Sequence, residues 1–189
     1  MGKICKGTII LVIITILPLF VLGQGFQPPA FGKSVVYIAE LNALGGISNF
    51  YFFNNDKFIG SLIGRGYFRY ECDPGKQLFW ASSENTNFLT ADLLPNAIYV
   101  IIADVNMGFS DFQVSLRPVD AADSAVPKVE DMTYDKPSYN TAAQLAAKTE
   151  YFAQRIKKNL KRYDKLKSKG AFIPNLSPSM AAKVLVTNP

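Results

Sequence analysis

Histidine is absent from all 189 residues. Its absence removes the usual general base, the Ser–His and Cys–His nucleophile pairs and the commonest zinc ligand. Cysteine is nearly absent, occurring only at Cys5 and Cys72. Cys5 lies in an N-terminal stretch with the form of an export signal. Lys3 and Lys6 precede an apolar run over 8–22, interrupted only by Thr15 and Pro18, and Val21-Leu22-Gly23 offers a peptidase site. Cleavage near Gly23 is expected, with Gln24 as the mature N-terminus. The run of roughly 15 apolar residues is short of the ~20 that span a bilayer, which disfavours an uncleaved anchor. No cysteine follows the run to carry a lipid.

The mature chain therefore keeps one thiol, cannot close an internal disulfide, and must be stabilised by packing. Cys72 follows Phe68 and Tyr70 at alternating positions and reads as a buried small hydrophobe. Acidic residues are scarce in the C-terminal part of the chain. Residues 24–137 hold 8 basic and 13 acidic side chains, whereas residues 138–189 hold 10 basic and 2 acidic. An acidic body thus precedes a strongly basic tail.

What is abundant is apolar and aromatic: 49% of the chain is hydrophobic, with 14 Phe and 9 Tyr, which is enough to build a core. After a Pro/Gly lead-in (24–33), 34–41 alternates as a strand, and 42–48, with Gly45-Gly46, reads as a flexible loop. Residues 50–80 read as an antiparallel meander broken at Asn54-Asn55-Asp56, Gly64-Arg65-Gly66 and Asp73-Pro74-Gly75, where tight-turn dihedrals are tolerated. Gly60 marks a bulge or a close approach by another backbone. In 67–72, Phe68, Tyr70 and Cys72 point inward and Tyr67, Arg69 and Glu71 outward. Strands at 77–83 and 88–93 follow, and 97–105 is apolar almost throughout, as in a central strand covered on both faces. In 109–117, Phe112, Val114 and Leu116 point inward. The fold class is mainly β: a two-sheet antiparallel β-sandwich of about 7–8 strands over 34–118, followed by one long C-terminal amphipathic helix.

Residues 119–137 are rich in Asp and Glu, contain Pro127 and Pro137, and read as an acidic linker. From 138 the period becomes helical, with Ser138 or Asn140 as cap and Gly170 ending the helix in the left-handed region. Leu145, Thr149, Phe152, Ile156, Leu160, Tyr163 and Leu166 form one apolar stripe. The opposite face carries Arg155, Lys157, Lys158, Lys161, Arg162, Lys165, Lys167 and Lys169. About 30 helical residues make a rod of roughly 45 Å, longer than a β-domain about 30 Å across, so the helix overhangs, kinks or meets a partner. The remaining 171–189 form an irregular tail that ends in a short apolar segment expected to dock.

Carboxylates at Glu40, Glu71, Glu84, Asp92 and Asp104 lie on or near strands, but no spacing selects an acid–base pair. The segment 60–66 lacks the strand-to-helix context and the Lys-Ser/Thr of a phosphate loop, and Asn54-Asn55-Asp56 has too few oxygens for a calcium loop. No catalytic, cofactor-binding or metal-binding residue is assigned, and no cofactor is expected. The residues proposed for an interaction surface are Arg155, Lys158, Arg162 and Lys165 on the helix, and Tyr67 and Phe79 as exposed aromatics.

The order of strand, Asp56-Lys57-Phe58-Ile59-Gly60, aromatic strand 66–70, Pro74-Gly75-Lys76 and the strand at Tyr99-Val100-Ile101 resembles small β-sandwich domains of bacterial lipoproteins and secreted proteins. It is similar to PEGA-type surface modules over about 34–116. The resemblance implies a β-sandwich at the cell surface and brings no site residues.

The chain is thus expected to be an exported, non-enzymatic module located in the periplasm, at the cell surface or outside the cell. Its expected role is an envelope or surface interaction protein. The alternative is a carbohydrate or small-ligand binder that uses an aromatic sheet face. Its partner is an envelope protein or a second copy held through the C-terminal helix. Nucleic acid is excluded for an exported chain, and peripheral membrane contact is not favoured.

Overall fold

The computed structural model describes residues 25–42, 48–108, 112–135 and 137–185. The expected signal segment and most of the glycine loop after residue 42 lie outside the described residues. Eight strands run between Ser34 and Val119: β1 (Ser34–Glu40), β2 (Phe50–Asn54), β3 (Lys57–Leu62), β4 (Gly66–Cys72), β5 (Gly75–Ser82), β6 (Thr86–Leu93), β7 (Ala97–Met107) and β8 (Phe112–Val119). Three helices follow, α1 (Ala125–Met132), α2 (Ala142–Tyr151) and α3 (Ala153–Ser168), and then two-residue strands β9 (Asn175–Leu176) and β10 (Lys183–Val184). The protein is mainly β.

The strands divide into two sheets. One runs β4-β1-β7, with β8 and β10 sharing the far side of β7, and the other runs β3-β2-β5-β6-β9. Two pairings are parallel, β1 with β7 and β6 with β9, so the sheets are mixed rather than antiparallel. The stretch 50–80 is not a meander. β2 and β3 form a hairpin, β4 crosses to the other sheet to pair with β1, and β5 returns to pair with β2. Both crossings fall at the expected turns, where Gly64 and Gly75 adopt φ of +67° and +89°.

Each sheet is covered on both faces, giving four layers. Between the sheets lie Val36, Ile38, Phe50, Phe52, Phe68, Phe79, Leu89, Tyr99, Ile101, Val114 and Leu116. On the outer face of the first sheet, Val35, Tyr37, Tyr67, Ile98, Val100 and Ile102 pack under Phe26 and the α1 side chains Val126, Val129 and Met132. On the outer face of the second, Phe53, Phe58, Leu78, Trp80 and Phe88 pack under Phe152 and Ile156. Double coverage is why Ala97–Ala103 of β7 is apolar almost throughout.

Residues 119–137 are corrected from an acidic linker. α1 sits in their midst, with Ala125, Val126, Val129 and Met132 buried on one face at helical spacing. Pro127 falls in the first turn, where its missing N–H needs no intrahelical acceptor.

The single helix expected over 138–170 is also corrected. Ser138 continues along the β4 edge, donating its N–H to Tyr67 O at 2.9 Å. The cap is Thr141, not Ser138 or Asn140. Its hydroxyl accepts from Gln144 N at 3.2 Å, and Gln144 Oε1 accepts from Thr141 N at 2.8 Å, a reciprocal capping box. The helix is then interrupted at Phe152 (φ −90°, ψ 4°), whose ring sits 4.9 to 5.7 Å from those of Tyr51, Phe53 and Phe58.

Gly170 does end α3, at φ +67°. Ala171 N bonds to Leu166 O and Gly170 N to Lys167 O, which is the Schellman arrangement. The tail docks as expected. β9 extends the second sheet along β6, Leu176 seals the inter-sheet core, and β10 adds to β7.

Candidate functional site

Neither proposed aromatic is exposed. Phe79 is fully buried between the sheets, because the β5 face that it shares with Ala81 is the interior face. Leu78 and Trp80 occupy the outer face, under α3. Tyr67 does point away from the inter-sheet core, but α1 and the segment after it cover it. Its hydroxyl donates to Asp135 O at 3.1 Å, and burial pushes its phenol pKa up. A ligand surface built on Tyr67 and Phe79 is therefore ruled out by packing.

The strand carboxylates are dispersed. Glu40 is buried on β1, and Asp104 bonds to Arg117 at 2.9 Å. Asp92 and Glu84 line separate cavities, while Glu71 shares a polar cleft with Asp56 and Asp73. Burial pushes Glu71 up, but hydrogen bonds from Ala30 N and Arg69 outweigh it and leave the carboxyl below its usual range. The hydrogen bond from Lys33 Nζ, at 2.6 Å, and its charge lower Asp73 as well. Neither is poised as a general acid near neutrality. Among the described residues no three His, Cys, Asp or Glu side chains gather as a metal site, and no helix is long and apolar enough to cross a membrane.

The helical cations fare differently. The apolar stripe of α2 and α3 lies on the second sheet, with Phe152 and Ile156 buried and Leu145, Leu160, Tyr163 and Leu166 partly so. The two helices are fastened to the sheet by polar contacts too. Phe58 N donates to Thr149 Oγ1 at 3.1 Å, and Thr86 Oγ1 donates to Asn159 Oδ1 at 3.3 Å. This docking turns Arg155, Lys158, Arg162 and Lys165 to solvent, all exposed. The four ion pairs among the described residues involve none of them.

Three of the four meet in one place. Arg155, Lys158 and Arg162 line a cavity of about 420 Å³ against the β5–β6 turn, which supplies Ser83, Glu84, Asn85 and Thr86. Lys165 lies one turn further along α3, outside the cavity. Arg155 is braced over the rings of Phe152 (5.1 Å) and Tyr51 (5.9 Å), which limits the rotamers of its guanidinium. Asn159 is 6% exposed at the cavity wall, where α3 meets the sheet. Helical spacing discloses the cations in the sequence. The hydroxyl wall is not legible there, because the β5–β6 turn lies some 70 positions earlier and nothing local links it to α3.

No protein-family model matches the chain, and no curated protein matches it. Among solved structures, an NMR structure of a protein from Eubacterium rectale is similar over 46% of this chain and 88% of that one, at 10% identity and a TM-score of 0.30. A likeness at that score carries no argument about fold or function.

Proposed function

We propose that this chain is an exported, non-enzymatic β-sandwich module that acts as an envelope or surface interaction protein, and that its partner-facing surface is the cationic face of α3. The observation that carries this is the orientation of that helix. Its apolar stripe packs on its own sheet, so the eight cations between Arg155 and Lys169 face outward with Asp164 as the sole acidic residue among them. A dense, one-sign surface favours a partner of opposite charge. It disfavours self-association through the same helix, which would bring like charges together. Insertion into a membrane surface needs a free apolar face, and the apolar stripe of α3 lies against the second sheet. The surface-module character implied by the PEGA-type resemblance fits the same reading.

The test uses the full mature chain incubated with washed envelope material and recovered by sedimentation. Retention that salt releases, and that R155Q/K158Q/R162Q/K165Q loses, supports the reading. Equal retention of the variant removes α3 as the interaction surface. The N-terminal mass of protein recovered outside the cytoplasm tests export, with Gln24 as the expected first residue.

A further inference from the structure

The cavity between α3 and the β5–β6 turn is more than a patch of positive charge. It is concave, and it combines three cations with side-chain hydroxyls and amides and one carboxylate, that of Glu84. Asn159 at its wall is more than nine-tenths buried and engages Thr86 through one amide atom. The three cations outnumber the single carboxylate of the lining, so the cavity favours an anion.

The cations also continue beyond the cavity. Arg155, Lys158, Arg162, Lys165 and Lys169 alternate at three and four residues, which places them in one row along α3 at about 5 Å per step. That advance is close to the length of one sugar unit in a polysaccharide. A linear polymer with an anionic group on successive units would meet one cation per unit along the row. One of its units would sit in the cavity, its hydroxyls facing Ser83 and Thr86.

We infer that the α3 cavity and row bind an anionic polysaccharide whose sugar units carry sulfate, phosphate or carboxylate groups. This rests on the reading of α3 as the partner surface and names that partner's chemistry. A nucleic acid strand would call for aromatic platforms on which bases stack, and no aromatic side chain lines the cavity. An anionic lipid surface is flat and does not enter the cavity.

The test titrates the intact mature protein with fluorescently labelled heparin oligosaccharide, as a sulfated polysaccharide probe, and with the same oligosaccharide after desulfation. Two variants are compared. R155Q/K158Q/R162Q removes the cavity cations, and K157Q/K161Q/K167Q removes equal charge from other rows of α3. All six are exposed, so both variants are expected to keep the thermal midpoint of the parent. The expected result is salt-sensitive binding, lost on desulfation, weakened about tenfold or more by the cavity variant and less than about threefold by the control. Equal weakening by both variants means diffuse charge attraction and overturns the site. Binding to phosphatidylglycerol vesicles without binding to the oligosaccharide assigns the face to lipid and overturns the inference. Charge-dependent retention on envelope material with no affinity for the oligosaccharide overturns this inference while leaving the interaction-module reading intact.

Discussion

The side chain of Asn85 meets Val114 as a neighbouring strand would: Nδ2 donates to the Val114 carbonyl at 2.9 Å, and Oδ1 accepts from Val114 N at 3.0 Å. One register further, Asn87 Oδ1 accepts from Leu116 N at 2.8 Å. β8 pairs with β7 along one side, so these bonds fall on its other side, where an edge strand offers unpaired backbone groups. Two asparagines at the start of β6 thus close the raw edge of the first sheet. Asn85→Ala is expected to cost about 1–2 kcal/mol, because both groups of Val114 lose partners. Asn85→Asp, which keeps the acceptor and loses the donor, should also destabilise. Urea unfolding reads the cost, and light scattering of the native protein reads the exposed edge. An unchanged urea midpoint in both variants would show that the side chain is incidental.

Phe152 is the wedge that fixes the helices to the second sheet. It lies edge-on to Phe53 at 5.6 Å, and Phe53 in turn stacks on Trp80 at 3.8 Å with ring planes 7° apart. Phe152→Ala should cost about 3–5 kcal/mol. Trp80 is the sole tryptophan and fully buried, so its native-state emission should shift to the red as α3 loosens. Emission identical to the parent would mean that the helices stay seated without the wedge.

At Gly60 a Cβ would lie 3.0 Å from ring carbons of Phe68. The register of β2 against β3 also shifts beside it, from Phe52 opposite Gly60 to Phe53 opposite Phe58. Gly60→Ala is expected to destabilise by about 1–3 kcal/mol through overpacking. Pairing it with Phe68→Leu should recover part of that loss relative to Phe68→Leu alone. Strict additivity in the double-mutant cycle would place the strain elsewhere.

Burial, reinforced by the carboxylates of Asp73 and Glu71, pushes the Cys72 thiol up to about 12, and burial pushes the Tyr70 phenol up to about 12. In the unfolded chain these groups ionise near their ordinary values, about 8.5 and 10. The folded state therefore holds its protons longer. The stability linked to these groups is whole below about pH 8.5 and is lost progressively as pH climbs toward 12. The denaturation midpoint should fall across that window and fall less steeply in C72A/Y70F. The native thiol should also react slowly with maleimide at pH 8, and quickly once urea unfolds the chain. An equally steep decline in the double variant would assign the alkaline loss to other groups.

The alternation of β1 and β4, the central character of β7, the Gly170 cap and the apolar stripe of the long helix are all legible in the sequence, because each rests on local spacing. The side of β5 that faces inward is not. Leu78 and Trp80 on one face are as apolar as Phe79 and Ala81 on the other, because one set packs beneath α3 and the other between the sheets. The sheet crossings at Gly64 and Gly75 escape for a related reason, since a turn signal marks a reversal and says nothing about which sheet receives the next strand. α1 was hidden by Pro127 and its acidic neighbours, although Ala125, Val126, Val129 and Met132 carry the spacing of a buried helix face. Of the candidate site, the cation row was readable, while the hydroxyl wall opposite required the fold.

The short closing strands have a consequence for the order in which the molecule can be made. β9 completes one sheet and β10 the other, and both lie beyond the helices that cover the Trp80 face. A nascent chain that has emerged only as far as β8 therefore has both sheets incomplete and an aromatic face still wet. Its stabilising contacts join segments far apart in sequence and arrive late. Completion of both sheets therefore waits on residues 175–184, and a chain that has emerged only through the helices still has two sheets to close.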